Sequence, residues 1–259
     1  MSLSVIVITQ DEEQVIGRCL GSVRWADEIV VVDSGSTDRT LDICRELGAQ
    51  VRVTPDWPGF GPQKNRALAL AKGDWVLSLD ADEWLSAELA EEVRAAIRGP
   101  GDVAAYELPR RSSFCGRYMR HSGWWPDRVS RLFRRGRARF SDDLVHERLL
   151  VDGSLGRLRG ELLHETFPDL EKLLDKLNRY STAGAVAYVG KGKRASLSRA
   201  VRHALWAFVR TYLLRAGFLD GREGFMLAVS TAEGVYYRYA KAWLLQRGAR
   251  GAPEPPAGR

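Results

Sequence analysis

Cysteine is scarce in this 259-residue chain, and acidic residues vanish from one long stretch near its end. Three cysteines, Cys19, Cys44 and Cys115, are odd in number and widely spaced. They fit neither a disulfide framework nor a zinc site, and they point to a reducing compartment. No run approaches the ~18 uninterrupted apolar residues that a membrane-spanning helix needs. The apolar run at residues 3–9 lacks a basic flank and is too short for a signal-peptide core, so it reads as a strand. Export is therefore not expected, and the expected location is cytoplasmic. Internal repeats are absent as well. What remains is an ordinary globular composition, 45% hydrophobic and 28% charged, enough for one core plus an appendage. Disorder is expected only in the Gly-, Pro- and Ala-rich tail, residues 248–259. A net charge of +6 and a pI near 9.4 call for an anionic partner: phosphate, nucleic acid or acidic lipid.

The first half alternates two periodicities. Residues 3–9, 28–33, 50–53 and 74–79 read as strands, and 12–23, 37–47, 62–72 and 86–98 as helices. Strands separated by single helices indicate a parallel sheet with right-handed crossovers. Ligands of such sheets bind beyond the carboxyl ends of the strands. Polar residues gather there: Thr9-Gln10-Asp11-Glu12, Asp33-Ser34-Gly35-Ser36-Thr37-Asp38, and Asp80-Ala81-Asp82-Glu83. Residues 103–151 turn to short strands and loops, and the chain beyond Pro168 reads as helical to Arg247.

Asp80 and Asp82, two carboxylates at i and i+2 where a strand passes into a loop, can converge on a hard divalent cation. Mg²⁺ and Mn²⁺ prefer oxygen ligands and bridge them to a diphosphate. A bare acidic turn capping the next helix is the bland alternative; the fourth place in a strand–helix series favours the metal. Asp33 at a strand tip can accept from a ribose or base N–H, while Ser36 to Asp38 read as helix capping. Lys64, near a helix start, is either a phosphate partner or a surface lysine.

These segments resemble the inverting family 2 glycosyltransferases of the GT-A fold. The matching text is Val5-Ile-Val-Ile-Thr9-Gln10-Asp11-Glu12-Glu13, Ile29-Val-Val-Val-Asp33-Ser34-Gly35-Ser36-Thr37-Asp38, Gln63-Lys64-Asn65-Arg66-Ala67-Leu68 and Leu79-Asp80-Ala81-Asp82-Glu83. It covers residues 3–98 in order. The resemblance implies an α/β GT-A nucleotide-diphospho-sugar transferase fold with a mostly parallel, Rossmann-like sheet. It also implies Thr9, Asp11, Asp33 and Lys64 around the nucleotide, Asp80 near the ribose, and Asp82 as chief metal ligand for Mg²⁺ or Mn²⁺. Where the family usually shows Asn-Glu this chain has Asp11-Glu12, and an ionised Asp11 accepts hydrogen bonds without donating. Downstream, Trp125-Pro-Asp-Arg128, Arg131-Leu-Phe133, Val145-His146-Glu147 and Leu177-Asn-Arg-Tyr180 are similar to the branch of lipopolysaccharide core β-glucosyltransferases.

Inverting transfer needs a base for the acceptor hydroxyl while the metal stabilises the departing diphosphate. Glu147, after an apolar stretch and beside His146, is the first candidate, with Asp143 and Asp142 as rivals. His146 and His164 are candidates for a metal ligand or phosphate contact. The arginines from Arg128 to Arg139 have a nucleic-acid look, but no nucleic-acid motif accompanies them. Arg131 or Arg134 on a diphosphate or acceptor phosphate is the economical reading.

From residue 176 to 219 there is no Asp or Glu, yet nine Lys or Arg. Leu197, Val201, Ala204, Leu205, Phe208, Val209, Tyr212 and Leu213 fall on one helical face, with Trp206 at its border. Such a helix suits an anionic membrane surface, and packing on a domain or a second subunit is the rival. The expectation is a catalytic domain over 1–165, a helical segment over 166–247 and a tail. The enzyme would take a UDP-sugar donor and a lipid-linked or lipopolysaccharide-core acceptor, and would bind no nucleic acid. A dehalogenase-type phosphatase would carry its D-x-D on the first strand, and a nucleotidyltransferase a Gly-rich loop there. A catalytically silent nucleotide-sugar binder or membrane anchor of the same fold is the non-enzymatic alternative.

Overall fold

An apolar run without alternation has no face to offer water, and the strands that open the chain are covered on both sides. The computed structural model describes residues 1–99, 101–142 and 147–248. It begins β1 (Leu3–Thr9), α1 (Ile16–Gly21), β2 (Glu28–Asp33), α2 (Thr40–Glu46), β3 (Gln50–Val53), α3 (Phe60–Leu70), β4 (Trp75–Asp80). The four strands are parallel in the order β3-β2-β1-β4. Successive side chains point to opposite faces. Leu3, Val5, Val7, Val31 and Leu77 therefore pack with Ile16, Cys19 and Leu20 of α1 and Cys44 of α2. Ile6, Ile8, Val30, Val32 and Val76 turn the other way, onto Ala67 of α3. Each fully buried aliphatic side chain contributes about 1.5–3 kcal/mol to holding this three-layer arrangement.

The chain adds β2 and β3 outward from β1, then α3 returns it to the other side of β1 as β4. This reversal opens a crevice at the carboxyl ends of β1 and β4. Register makes the ends level: Thr9 lies opposite Asp33, and Ile8 opposite Asp80.

The remaining elements are β5 (Glu83–Leu85), α4 (Ala87–Arg98), β6 (Val103–Phe114), β7 (Arg117–Tyr118), β8 (Asp127–Arg134), β9 (Ala138–Phe140), β10 (Leu149–Val151), β11 (Ser154–Arg157), β12 (Leu162–Phe167), α5 (Leu170–Gly190), α6 (Leu197–Val209) and α7 (Gly221–Gly248). Antiparallel β8 and β6 carry the sheet on from β4, followed by β12 and β5. Ser86 caps α4 by accepting from the Leu89 N–H, and the helix buries Leu89, Val93 and Ile97 against the α1/α2 side.

Helices α1 and α2 start later than their spacing predicts, at Ile16 and Thr40. The physical reason is that the residues before them hydrogen-bond across to one another instead of coiling. Glu13 N–H donates to Asp38 Oδ2 (3.1 Å), Glu12 N–H to Thr40 Oγ1 (2.8 Å), and Asp11 N–H to Ser36 Oγ (2.8 Å).

The chain divides into two compact units, one of residues 1–112 and 126–165, the other of residues 113–125 and 166–259. Residues 113–125 join the helical unit because Phe114 and Met119 are buried with Leu173 and Leu227. The buried Asp220 carboxylate also accepts the backbone N–H groups of Arg120 and His121 (3.1 and 2.8 Å). Within that unit Lys241 of α7 donates to Asn178 Oδ1, Ser181 Oγ and Thr182 Oγ1 on α5. Phe208 and Tyr212 pack on Phe225 of α7. Among the described residues no helix is long and apolar enough to cross a membrane.

Candidate active site at the carboxyl ends of the parallel strands

Asp33 is fully buried. Its Oδ1 accepts the N–H groups of Gly35 and Ser36 (both 2.8 Å), and the Ser36 hydroxyl donates to Oδ2. Gly35, at φ +92°, makes that tight turn accessible to the backbone. Ser36 therefore does not cap α2 as its position predicts; it ties Asp33 to the β1 loop through the Asp11 N–H. Asp11 adopts φ +54°, a left-handed conformation that aspartate tolerates better than most residues. Its Oδ1 accepts from Thr37 N–H (2.7 Å) and Thr37 Oγ1 (3.3 Å). Acceptance is all an ionised carboxylate can offer, so aspartate suits this place as it stands. Thr9 is buried beside them, and its hydroxyl has no hydrogen-bond partner among the described residues.

A chain of charges crosses the crevice. Lys64 of α3, itself buried, reaches Asp80 Oδ1 and Glu147 Oε1, each at 2.8 Å. Arg131 of β8 pairs with Asp80 Oδ2 and, at 2.8 Å, with Glu83 Oε1. Glu83, with no exposed side-chain surface, also receives Arg110 (3.2 Å) and the Asp80 N–H (3.0 Å). Burial alone would push the Asp80 carboxyl up, but the charges of Arg131 and Lys64 outweigh it and hold it well below the usual carboxylate range. Burial likewise opposes the Arg131 charge, and Asp80 and Glu83 more than restore it, so this guanidinium is raised above its ordinary value. Cys19 lies beneath, Sγ 3.6 Å from Asp80 O, and burial raises its thiol well above the ordinary range, helped by Glu83 and Asp82.

Gln63 donates to Thr54 Oγ1 (2.8 Å) and Ser34 Oγ (3.0 Å), fastening α3 to the β2 and β3 ends. Asn65 pairs like a strand residue with Phe140, its amide donating to the carbonyl and its oxygen accepting the N–H, both at 3.0 Å. Arg66 forms a fork onto Asp56. Gly61 leaves room that no other residue could, since a Cβ there would sit 1.9 Å from Ser141 O.

Asp82, two residues past the tip of β4, faces His164 of β12 across 3.3 Å, Oδ2 to Nε2. The other ring nitrogen lies 2.9 Å from Ser112 Oγ, the kind of outer partner that orients a metal-ligating imidazole. Among the described residues no cluster of three or more His, Cys, Asp or Glu could hold a metal ion. Among the described residues the offer is one carboxylate and one imidazole, both partly open to solvent. That is too few for a closed structural cage. It fits a cation that fills its remaining positions with diphosphate oxygens and water.

Of the residues singled out in the sequence, Thr9, Asp11, Asp33, Lys64, Asp80, Asp82, Arg131 and Glu147 all lie in the unit of residues 1–112 and 126–165. Asp143 and His146 fall outside the described residues. Arg134 is not at this end: its guanidinium donates to Val103 O and Gly101 O and lies over the Trp75 ring. Glu83 and Arg110 were not singled out, because sequence alone does not reveal that one acid faces two arginines from other strands.

A parallel sheet reversing beside its first strand, with carboxylates and a buried lysine at the strand ends, defines a GT-A-type nucleotide-sugar transferase fold. The chain belongs to glycosyl transferase family 2, whose sequence profile matches residues 4–150. It is similar to an uncharacterized glycosyltransferase of Rickettsia prowazekii (strain Madrid E), 31% identical over 92% of this chain and 86% of that one. It is also 31% identical to the lipopolysaccharide core biosynthesis glycosyltransferase LpsC of Rhizobium meliloti (strain 1021), over 93% of this chain and 94% of that one. Among solved structures, glucosyl-3-phosphoglycerate synthase from Mycobacterium tuberculosis, in complex with Mn²⁺, UDP and glucosyl-3-phosphoglycerate, is 26% identical. The likeness has a TM-score of 0.38 and covers 42% of this chain and 44% of that one.

Proposed function

We propose that this glycosyltransferase is metal-dependent and inverting, and that it moves a hexose, glucose in the first instance, from a UDP-sugar to a lipopolysaccharide-core or other lipid-linked acceptor. The observation that carries the reading is the pairing of Asp82 with His164 next to the Asp80–Lys64–Glu147 chain, at the carboxyl ends of parallel strands. The acceptor class draws on the name and extent of the LpsC relative.

In this reading Asp82 and His164 hold Mg²⁺ or Mn²⁺, which when bound supplies positive charge to the departing diphosphate. His146, outside the described residues, is the further ligand to test. The nucleoside lies on the β1 and β2 loops, where the free Thr9 hydroxyl and the Asp11–Asp33 turn shape its pocket. Asp80 stays ionised between Arg131 and Lys64 and orients toward the ribose. Arg131, buried and matched by two carboxylates, acts on the nucleotide through Asp80 rather than as a phosphate clamp. Glu147 is the base. The acceptor oxygen attacks the anomeric carbon, its proton passes to a Glu147 carboxylate oxygen, and the carbon–oxygen bond to the diphosphate breaks with the electron pair leaving on UDP. Lys64 holds Glu147 in place for that transfer. Asp143 is the rival base.

The test is UDP release from a panel of UDP-sugars with Mg²⁺ or Mn²⁺ and a lipopolysaccharide-core acceptor. Chelator and Asp82→Ala should each abolish turnover. Unchanged turnover in either would overturn the metal role, and UDP binding with no turnover on any acceptor would favour the silent binder.

A further inference from the structure

Helix α6 and the loop before it carry charge that no carboxylate among the described residues answers. Lys193, Arg194, Arg199 and Arg202 line an open cleft of about 720 Å³ together with Tyr188 and Trp206. The chain has no acid from residue 176 to 219, and among the described residues none of these four cations pairs with a carboxylate. The cleft is nonetheless held in shape. Gln246 of α7 fastens the loop by donating to Lys193 O (2.6 Å) and accepting the Ala195 N–H (3.0 Å). Arg199 donates to Tyr188 Oη (3.0 Å) and Arg194 O (2.7 Å), and His203 stacks on Tyr239 with ring centres 4.8 Å apart. Ser196 caps α6 there, so the positive end of a 13-residue helix adds to the field.

Beside the cations lies uncovered apolar surface. Two neighbouring ridges run along the solvent side of α6, one through Val201 and Leu205, the other through Arg202 and Trp206; Leu205 is 63% and Trp206 54% exposed. Past the helix, Leu213, Leu214, Phe218 and Leu219 are each about half exposed or more. A soluble surface seldom leaves so much apolar area uncovered without an occupant.

We propose that this face lies on an anionic lipid bilayer. Headgroup phosphates enter the basic cleft, while Leu205, Trp206 and Leu214 reach the boundary between headgroups and acyl chains. Charge complementarity decides the occupant. A second copy meeting this face about a two-fold axis would set like against like, cation on cation. A sheet of phosphates answers the charge, and snorkelling arginines beside a tryptophan suit its depth. No described helix can span a membrane, so the contact is with its surface.

Co-sedimentation of the full chain with phosphatidylcholine vesicles, with and without phosphatidylglycerol, tests this. Binding should require phosphatidylglycerol and weaken as salt rises. Neutralising Lys193 and Arg202 (Lys193→Gln with Arg202→Gln) should lower the partition coefficient about thirtyfold, from about fivefold per basic residue. Leu205→Asp, at an exposed position, should lower it with unchanged circular dichroism and melting temperature. Absence of binding to phosphatidylglycerol vesicles would overturn the proposal. So would equal binding to neutral vesicles, binding that ignores these substitutions, or a lipid-free dimer that the same substitutions dissociate.

Discussion

Two sets of cations in this protein stand in opposite circumstances. Lys64, Arg110 and Arg131 sit at the strand ends of the catalytic unit, and each touches at least one carboxylate within 3.2 Å. Lys193, Arg194, Arg199 and Arg202 ring a cleft in the helical unit, and among the described residues none of them pairs with an acid. Burial explains the first set, because an unpaired charge taken out of water costs several kcal/mol and must be matched. Exposure explains how the second set can stand unmatched: water answers it until an outside anion does. A cation's surroundings, more than its count in the composition, therefore separate scaffolding from recognition. The excess of basic residues behind the net charge of +6 lies in the unit of residues 113–125 and 166–259, whereas at the strand ends Asp11, Asp33, Asp80, Asp82, Glu83 and Glu147 outnumber Lys64, Arg110 and Arg131.

Four variants break or sharpen that contrast, from the largest effect down. Glu147→Gln keeps a hydrogen-bonding group near Lys64 but removes the proposed base, and should lower kcat about 10²–10⁴-fold with UDP binding preserved. Titration calorimetry beside a turnover assay separates the two. Glu83→Ala strips one partner from two arginines at a buried point and should cost about 3–5 kcal/mol, read from the urea midpoint. If it cost no more than a surface change, the catalytic cations would not depend on their acids. Glu28→Gln probes a carboxylate at the opposite end of the sheet. Burial pushes Glu28 up, but the Ser4 hydroxyl and the Lys72 N–H outweigh it, so its folded value is lowered. A lowered carboxylate contributes stability that is present above its unfolded value, about 4.3, and lost as pH falls through the folded one. The variant's stability should accordingly fall less steeply in acid below about pH 4.3. Smallest of all, Lys193→Gln with Arg202→Gln should change stability by no more than about 0.5 kcal/mol, since among the described residues neither side chain pairs with a carboxylate and Lys193 loses only a long contact with the Tyr188 ring, 5.9 Å to its centre.

The parallel half of the fold was legible because its signal is local. Runs such as Val5-Ile-Val-Ile and Ile29-Val-Val-Val have one physical solution, a strand covered on both faces, and glycines or polar turns mark their ends. Helix starts were less legible, since Asp11, Ser36 and Asp38 exchange hydrogen bonds across 25 or 26 positions in place of the helical ones nearby. The candidate site divides the same way. Thr9, Asp33 and Asp80 could be placed together because the register of neighbouring strands follows from the strand order. In the sequence Glu83 is only the acid that follows Asp80-Ala81-Asp82. Its meaning lies in Arg110 and Arg131, 27 and 48 residues away, brought to it by antiparallel strands that no local pattern announces. From the sequence His146 is the histidine favoured as a metal ligand, and the case for His164 comes only from β12, which sets it against Asp82.

The central claim, a cation held by Asp82 and His164 on which the donor diphosphate rests, is tested most directly by titrating UDP into the protein with and without Mn²⁺. The account predicts UDP binding at least tenfold tighter with Mn²⁺ in the native chain, about 1.4 kcal/mol or more, and no such gain in Asp82→Ala. UDP bound equally tightly in chelator, or a full Mn²⁺ effect surviving Asp82→Ala, would contradict it.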